Sequence, residues 1–219
     1  MARFASVILD VDSTLSGIEG IDWLAARRTP EIAREVERLT SEAMAGARPI
    51  EDVYRARLEL VRPASRELAE LAEAYWSSVA PGAGAAIAAM GASGVRVEIV
   101  TSGLRDAVEP FAKRLGLAPD SVHAVPVVFD SRGDYSSFDA AAPLCVRGGK
   151  RVVASSLDLE RPVLAVGDGV TDAEIRPAAN EFAAFTGFVH RDAVVAVADY
   201  VVGSFAELER LVLGTRESA

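Results

Sequence analysis

The chain has 219 residues, 50% hydrophobic and 25% charged, enough to bury a substantial core in one domain or one domain with an inserted subdomain. Its net charge of −9 argues against non-specific nucleic-acid binding and against anchoring on anionic lipid, but leaves room for a small anionic substrate met by local Lys, Arg or a metal ion. Cys145 is the single cysteine, so no internal disulfide forms, and Asp10 and Asp12 interrupt the early apolar run; the expectation is a cytoplasmic protein with no signal peptide and no membrane partner, its oligomeric state left open.

In chain order, short β-branched apolar runs predict strands at 6–9, 95–100, 121–129, 163–166, 182–185 and 200–201. Helical patterns fall at 84–90, 104–115, 151–157, 171–178, 192–198 and 205–213. The alternation predicts an α/β fold with a doubly wound, Rossmann-like parallel sheet, whose functional groups gather beyond the carboxyl ends of the strands. Residues 16–79 break the rhythm. They hold two helical stripes, Ile32-Val36-Leu39-Ala43 and Ile50-Tyr54-Leu58-Val61, and no good strand. The expected organisation is a core of residues 1–15 and 80–219 with residues 16–79 as an inserted helical cap. Turn chemistry at 130–133 followed by 134–138 predicts a small hairpin flap.

The segment Val7-Ile8-Leu9-Asp10-Val11-Asp12-Ser13-Thr14 ends an apolar strand in two carboxylates that share a face. Like charges about 4 Å apart repel by roughly 4 kcal/mol at an effective dielectric near 20. A cation, a shared proton or a phosphoryl group relieves that cost. A carboxylate can attack phosphorus, which makes Asp10 a candidate nucleophile, and Asp12 could protonate the leaving oxygen and then deprotonate water. The competing reading is a turn that opens with Asp.

Thr101 ends the second strand before Ser102-Gly103, where a hydroxyl and free N–H groups at a helix start form either a phosphate cradle or a plain N-cap. Lys150 follows Gly148-Gly149 and is one of two lysines among 23 basic residues, which favours a phosphate-binding role for a compact ammonium over a solvated one. Gly167-Asp168-Gly169-Val170-Thr171-Asp172 repeats the acidic device after a second apolar strand. Asp10 and Asp168 suit Mg2+, which takes a few carboxylates plus water and substrate phosphate, with a main-chain carbonyl near Asp12 as a third ligand. Asp172 could equally cap the next helix. Arg57 faces inward on the second stripe, where its planar fork suits a carboxylate, and Ser16-Gly17-Ile18-Glu19 fits a capping box.

Together these residues resemble the haloacid dehalogenase-like hydrolases and, within them, the phosphoserine phosphatase family. The matching elements are Asp10-Val11-Asp12-Ser13-Thr14, Glu19-Gly20-Ile21-Asp22, Ala43-Met44-Ala45-Gly46-Ala47, Arg57-Leu58, Thr101-Ser102-Gly103-Leu104-Arg105, Gly148-Gly149-Lys150 and the Gly167 to Asp172 run, in consistent order from about residue 4 to residue 211. The resemblance implies Asp10 as nucleophile and Mg2+ ligand, and Asp12 as general acid/base with its main-chain carbonyl on the metal. It implies Asp168 as a metal ligand, Asp172 as support for the metal, and Thr101, Ser102, Gly103 and Lys150 as phosphate-binding. Glu19 would meet the substrate ammonium and Arg57 its carboxylate, with Met44 and Thr171 lining the pocket. The implied reaction is hydrolysis of a small phosphomonoester, O-phosphoserine, through an aspartyl-phosphate. Two other readings remain: transfer of the phosphoryl group to an alcohol such as homoserine, and a phospho-Asp receiver that binds rather than catalyses. The helical block at 16–79 counts against the receiver.

Overall fold

In the computed structural model of the chain, residues 2–44 and 48–214 are described. Residues 45–47 of the expected cap motif, and the side chains of Ala43 and Met44, lie outside the described residues. In chain order, β1 (Ser6–Leu9) is followed by α1 (Gly20–Ala25), α2 (Pro30–Met44), α3 (Ile50–Val61), α4 (Ser65–Ser77) and α5 (Ala83–Ala92). Then come β2 (Arg96–Leu104), α6 (Arg105–Arg114), β3 (Val122–Val125), β4 (Val127–Phe129), β5 (Tyr135–Phe138) and α7 (Gly149–Ser156). The last elements are β6 (Val163–Gly167), α8 (Val170–Ala173), β7 (Glu181–Phe185), α9 (Asp192–Val195), β8 (Tyr200–Val202) and α10 (Phe205–Leu213).

Six strands form one parallel sheet in the order β3-β2-β1-β6-β7-β8, the doubly wound α/β architecture that the alternation predicts. β1 and β6 are buried at every position, as continuous apolar strands covered on both faces must be. β1 pairs with β2 from Ser6–Arg96 to Leu9–Ile99, and with β6 from Ser6–Val163 to Leu9–Val166. The chain leaves β1 toward one edge of the sheet and returns at β6 to build the other. The winding therefore reverses between β1 and β6, where open α/β sheets leave a crevice beyond the strand ends.

Some boundaries differ from expectation, each for a local reason. The 121–129 run divides at Pro126: Val122–Val125 joins the main sheet, whereas Val127–Phe129 pairs antiparallel with β5, Val127 opposite Phe138. A proline cannot donate to a ladder, so it separates the two pairings. The flap is thus a β4–β5 hairpin, its turn closed by Asp130 Oδ1 accepting from the N–H groups of Arg132 and Asp134. Leu104 still pairs with Val125 on β3, so α6 begins one residue late. The helices expected over 171–178 and 192–198 stop at Ala173 and Val195. Pro177 has no N–H to offer the first, and the second tightens into i to i+3 bonds, Val197 N to Val194 O and Ala198 N to Val195 O.

The helices between β1 and β2 share one apolar cluster with the sheet, including Leu24, Leu58 and Tyr75 from the inserted stretch and Phe111, Phe182 and Phe205 from the rest. Each large buried side chain of this kind stabilises by about 1.5–3 kcal/mol. Within the insertion, Arg28 binds both oxygens of Glu67 at 2.6 and 2.7 Å and donates to Val61 O, tying the end of α1 to α3 and α4. α4 lies along α6. Among the described residues no helix is long and apolar enough to cross a membrane.

Candidate active site

β1 delivers Asp10 to the crevice: its N–H donates to Val166 O at 3.1 Å, one step beyond the last ladder pair. The chain then turns sharply, with the N–H groups of Thr14 and Ser16 both on Val11 O and Ser13 in the left-handed region at φ 52°. β6 ends in Gly167, and a Cβ there would lie 2.2 Å from Asp172 Cγ, so only glycine lets that carboxylate tuck beneath the strand end. At Gly149 a Cβ would meet Pro143 O at 1.6 Å; its absence seats α7 against the Pro143–Cys145 turn and brings Lys150 inward.

These devices gather four buried charges. Lys150 Nζ stands 2.8 Å from Asp10 Oδ1 and 2.6 Å from Asp172 Oδ1. Asp168 Oδ2 accepts from Arg191 Nε at 2.9 Å. Ligating oxygens of Asp10, Asp168 and Asp172 lie within 4.8 Å of one another. Burial works against the Lys150 charge, but the carboxylates of Asp10 and Asp172 outweigh it and raise its pKa, so the ammonium stays protonated. Burial and the Asp10 charge push Asp172 upward while Lys150 pulls it back. Asp168 is raised by burial and by Asp10, and restrained by Arg191. Asp12 is raised well above the usual carboxylate range by burial and by the charges of Glu19 and Asp10, against a hydrogen bond from Tyr75. A carboxyl whose pKa is raised in this way is suited to giving a proton to a leaving group.

The donor set fits a hard divalent cation. It consists of oxygens alone, three carboxylates deep in a crevice, and Asp10 Oδ1 is buried with no aligned hydrogen bond despite the nearby ammonium. Asp172 caps as expected, accepting from Gly169 N at 2.9 Å, and its carboxylate also stands within the acidic cluster.

At the end of β2 the pairing slips. Val100 opposes His123, yet Leu104 opposes Val125, so four steps on β2 match two on β3. The bulge lifts Thr101, Ser102 and Gly103 out of the ladder, a common device beside active sites. Thr101 Oγ1 accepts from Gly103 N at 3.1 Å, which leaves its O–H free to donate. Ser102 spends its hydroxyl on Leu144 O, and its carbonyl accepts from Tyr54 Oη. Its contribution to an anion is therefore a main-chain one.

Among the helices between β1 and β2, Glu19 is not part of a capping box with Ser16. Ser16 bridges to Asp12 and Val79 and donates its hydroxyl to Tyr75 O, while Glu19 is itself the N-cap of α1 and accepts from Ser13 Oγ at 2.7 Å. Arg57 faces inward as its stripe predicts, 15% exposed, with Nη2 on Asp22 Oδ2 at 2.6 Å and Nε buried without a partner. Thr171 is half-buried on α8 beside Asp172, and Met44 ends α2. Three contacts escape sequence reasoning: Arg191 on Asp168, Asp22 on Arg57, and Tyr75 on Asp12 at 2.7 Å. Tyr75 extends the apolar stripe of Leu68, Leu71 and Ala72, which signals burial but not what its hydroxyl meets. Arg191 carries no spacing signal at all.

Comparison with known proteins gives a consistent result. Residues 7–175 match the model of the haloacid dehalogenase-like hydrolase family. A phosphoserine phosphatase of Drosophila melanogaster is 34% identical over 206 residues, covering 92% of this chain and 76% of its own. One from Rattus norvegicus is 33% identical over 206 residues, covering 93% and 91%. Among solved structures, a phosphoserine phosphohydrolase-like protein from Francisella tularensis superposes with a TM-score of 0.84 at 25% identity, over 94% of this chain and 99% of that one.

Proposed function

The chain belongs to the haloacid dehalogenase-like hydrolases, and from that membership we propose that it is a Mg2+-dependent phosphoserine phosphatase working through an aspartyl-phosphate on Asp10. One observation carries the reading: Asp10 presents a buried carboxylate at the end of β1, its Oδ1 in ion-pair contact with Lys150 but without an aligned hydrogen bond, beside Asp168 and Asp172, with a carboxyl of raised pKa two residues on at Asp12.

In this reading residues 1–15 and 80–219 are the catalytic core and residues 16–79 the cap. Asp10, Asp168 and the main-chain carbonyl of Asp12 would hold Mg2+, with Asp172 in support. Bound Mg2+ would offset carboxylate charge and draw electron density from the phosphoryl oxygens. Thr101 Oγ, the main chain at Ser102 and Gly103, and Lys150 Nζ bind the phosphoryl group. Asp10 attacks phosphorus while Asp12 gives its proton to the departing serine oxygen; Asp12, now a base, takes a proton from the water that cleaves the acyl phosphate. Glu19 meets the substrate ammonium, the unpaired Nε of Arg57 supports a contact to its carboxylate, and Thr171 lines the pocket. The cap excludes bulk water during transfer.

Phosphate release from a panel of phosphomonoesters tests this, with Mg2+ and with a chelator, and with serine and homoserine added as acceptors. Preferred, Mg2+-dependent hydrolysis of phosphoserine is the expected result. Equal rates in chelator, or no release from phosphoserine, overturn it; phosphohomoserine formation in place of free phosphate would make the protein a transferase.

A further inference from the structure

We propose that Tyr75 is a positioning residue for Asp12, fixing the carboxyl that exchanges protons with the departing alcohol and so tying that step to the inserted helices. The inference rests on the phosphatase reading above and assigns a role to a residue outside its machinery.

Tyr75 is fully buried on α4 and its hydroxyl donates to Asp12 Oδ1 at 2.7 Å. The ring packs against Phe111 of α6 with centroids 5.5 Å apart, so its direction is set by the core and not by the crevice. A buried phenol needs a hydrogen-bond partner, and a phenylalanine would fill the same space without that demand.

Gly20 supplies the second observation. A Cβ there would lie 2.2 Å from Tyr75 Oη, so the first residue of α1 is bare where the phenol passes to reach Asp12. The carboxyl is thus held from α4, through a gap that the bare Gly20 leaves at the start of α1. With Oδ1 engaged by a donor, the mobile proton is confined to Oδ2.

An oriented acid matters when the leaving group is a basic alkoxide and matters little when it is a stable anion. The test compares kcat/KM, which reports steps through the first phosphoryl transfer, for phosphoserine and for p-nitrophenyl phosphate, in the wild type and in Tyr75→Phe. We expect kcat/KM for phosphoserine to fall about 10- to 100-fold, mainly in kcat, and that for the nitrophenyl ester to stay within about threefold. Gly20→Ala keeps the phenol but displaces its hydroxyl, and should show the same selective loss; it decides the matter if Tyr75→Phe does not fold. Equal losses on both esters, or no loss on either, overturn the inference and leave Tyr75 a packing residue. If the wild type hydrolyses neither ester, the phosphatase reading itself falls; if it hydrolyses both and the folded variants are unselective, only the Tyr75 assignment falls.

Discussion

Lys150 Nζ stands 2.6 Å from Asp172 Oδ1, with 6% and 2% of the two side chains exposed, and Asp10 lies on the other side of the same ammonium. Removing the cation strands two buried carboxylates, an arrangement that costs about 3–5 kcal/mol when one partner of a buried pair is deleted. Lys150→Met should lower the unfolding free energy by that order in chelator and reduce phosphoserine turnover at least about 100-fold. Urea titration checks the first and phosphate release the second. Added Mg2+ should raise the variant's midpoint more than the wild type's; an unchanged midpoint in chelator would show that the ammonium does not hold the cluster together.

Asp10→Asn removes the oxygen proposed to attack phosphorus and one of three crowded anions. Turnover should fall at least about 1,000-fold. The chelated variant should nevertheless melt no lower than the chelated wild type, because the remaining carboxylates repel less, a common trade between function and stability. A smaller Mg2+-induced rise in Tm should accompany it. Calorimetry on both proteins, with and without Mg2+, settles the point; retained turnover would remove Asp10 from the role of nucleophile.

Arg57 has Nη2 on Asp22 and a buried, unpaired Nε. Charge-assisted hydrogen bonds contribute about 1.5–3 kcal/mol, roughly 10- to 100-fold in affinity. Arg57→Ala should raise KM for phosphoserine by that factor and leave KM for phosphoethanolamine, which lacks the carboxylate, nearly unchanged. Equal increases for both esters would take Arg57 out of substrate recognition.

Away from the crevice, Glu98 on β2 is 2% exposed and bonds to Arg96 at 2.6 Å and to His123 at 2.8 Å. Burial alone would raise its pKa, but the hydrogen bonds from His123 and Arg96 prevail and hold it below its ordinary 4.5. A depressed folded-state pKa stabilises at pH values above the unfolded one, and the contribution fades as pH falls through the folded value. Glu98→Gln should therefore lose stability less steeply than the wild type as pH drops from 5 to 3. Urea midpoints at several pH values in that interval give the comparison, and parallel curves would contradict it.

The sheet was readable because β1 and β6 are uninterrupted apolar runs, and a strand covered on both faces must be written that way. Asp10, Lys150, Asp168 and Asp172 were readable because carboxylates at strand ends, and a lysine after two glycines, are costly placements that a solvated surface does not require. Spacing alone offers Glu19 as a capping partner of Ser16, the reading that the fold corrects, whereas the resemblance assigns it to a substrate ammonium. That spacing could not reveal that Ser16 is held between Asp12 and Val79. Tyr75, Asp22 and Arg191 were invisible for another reason. Each meets its partner across 23 or more residues of sequence, by contacts that only the packed helices create.

The register of β1 carries a consequence for biosynthesis. Val7 can pair with Val97 once the first hundred or so residues exist, but its other neighbour, Leu164, is translated much later. A nascent chain on the ribosome can therefore form half of the sheet while Asp10 still lacks Lys150, Asp168 and Asp172. Activity should emerge abruptly only after β6 and the residues through Asp172 have been made, and a chain that stalls before β6 would expose one edge of β1 to whatever strand it meets first.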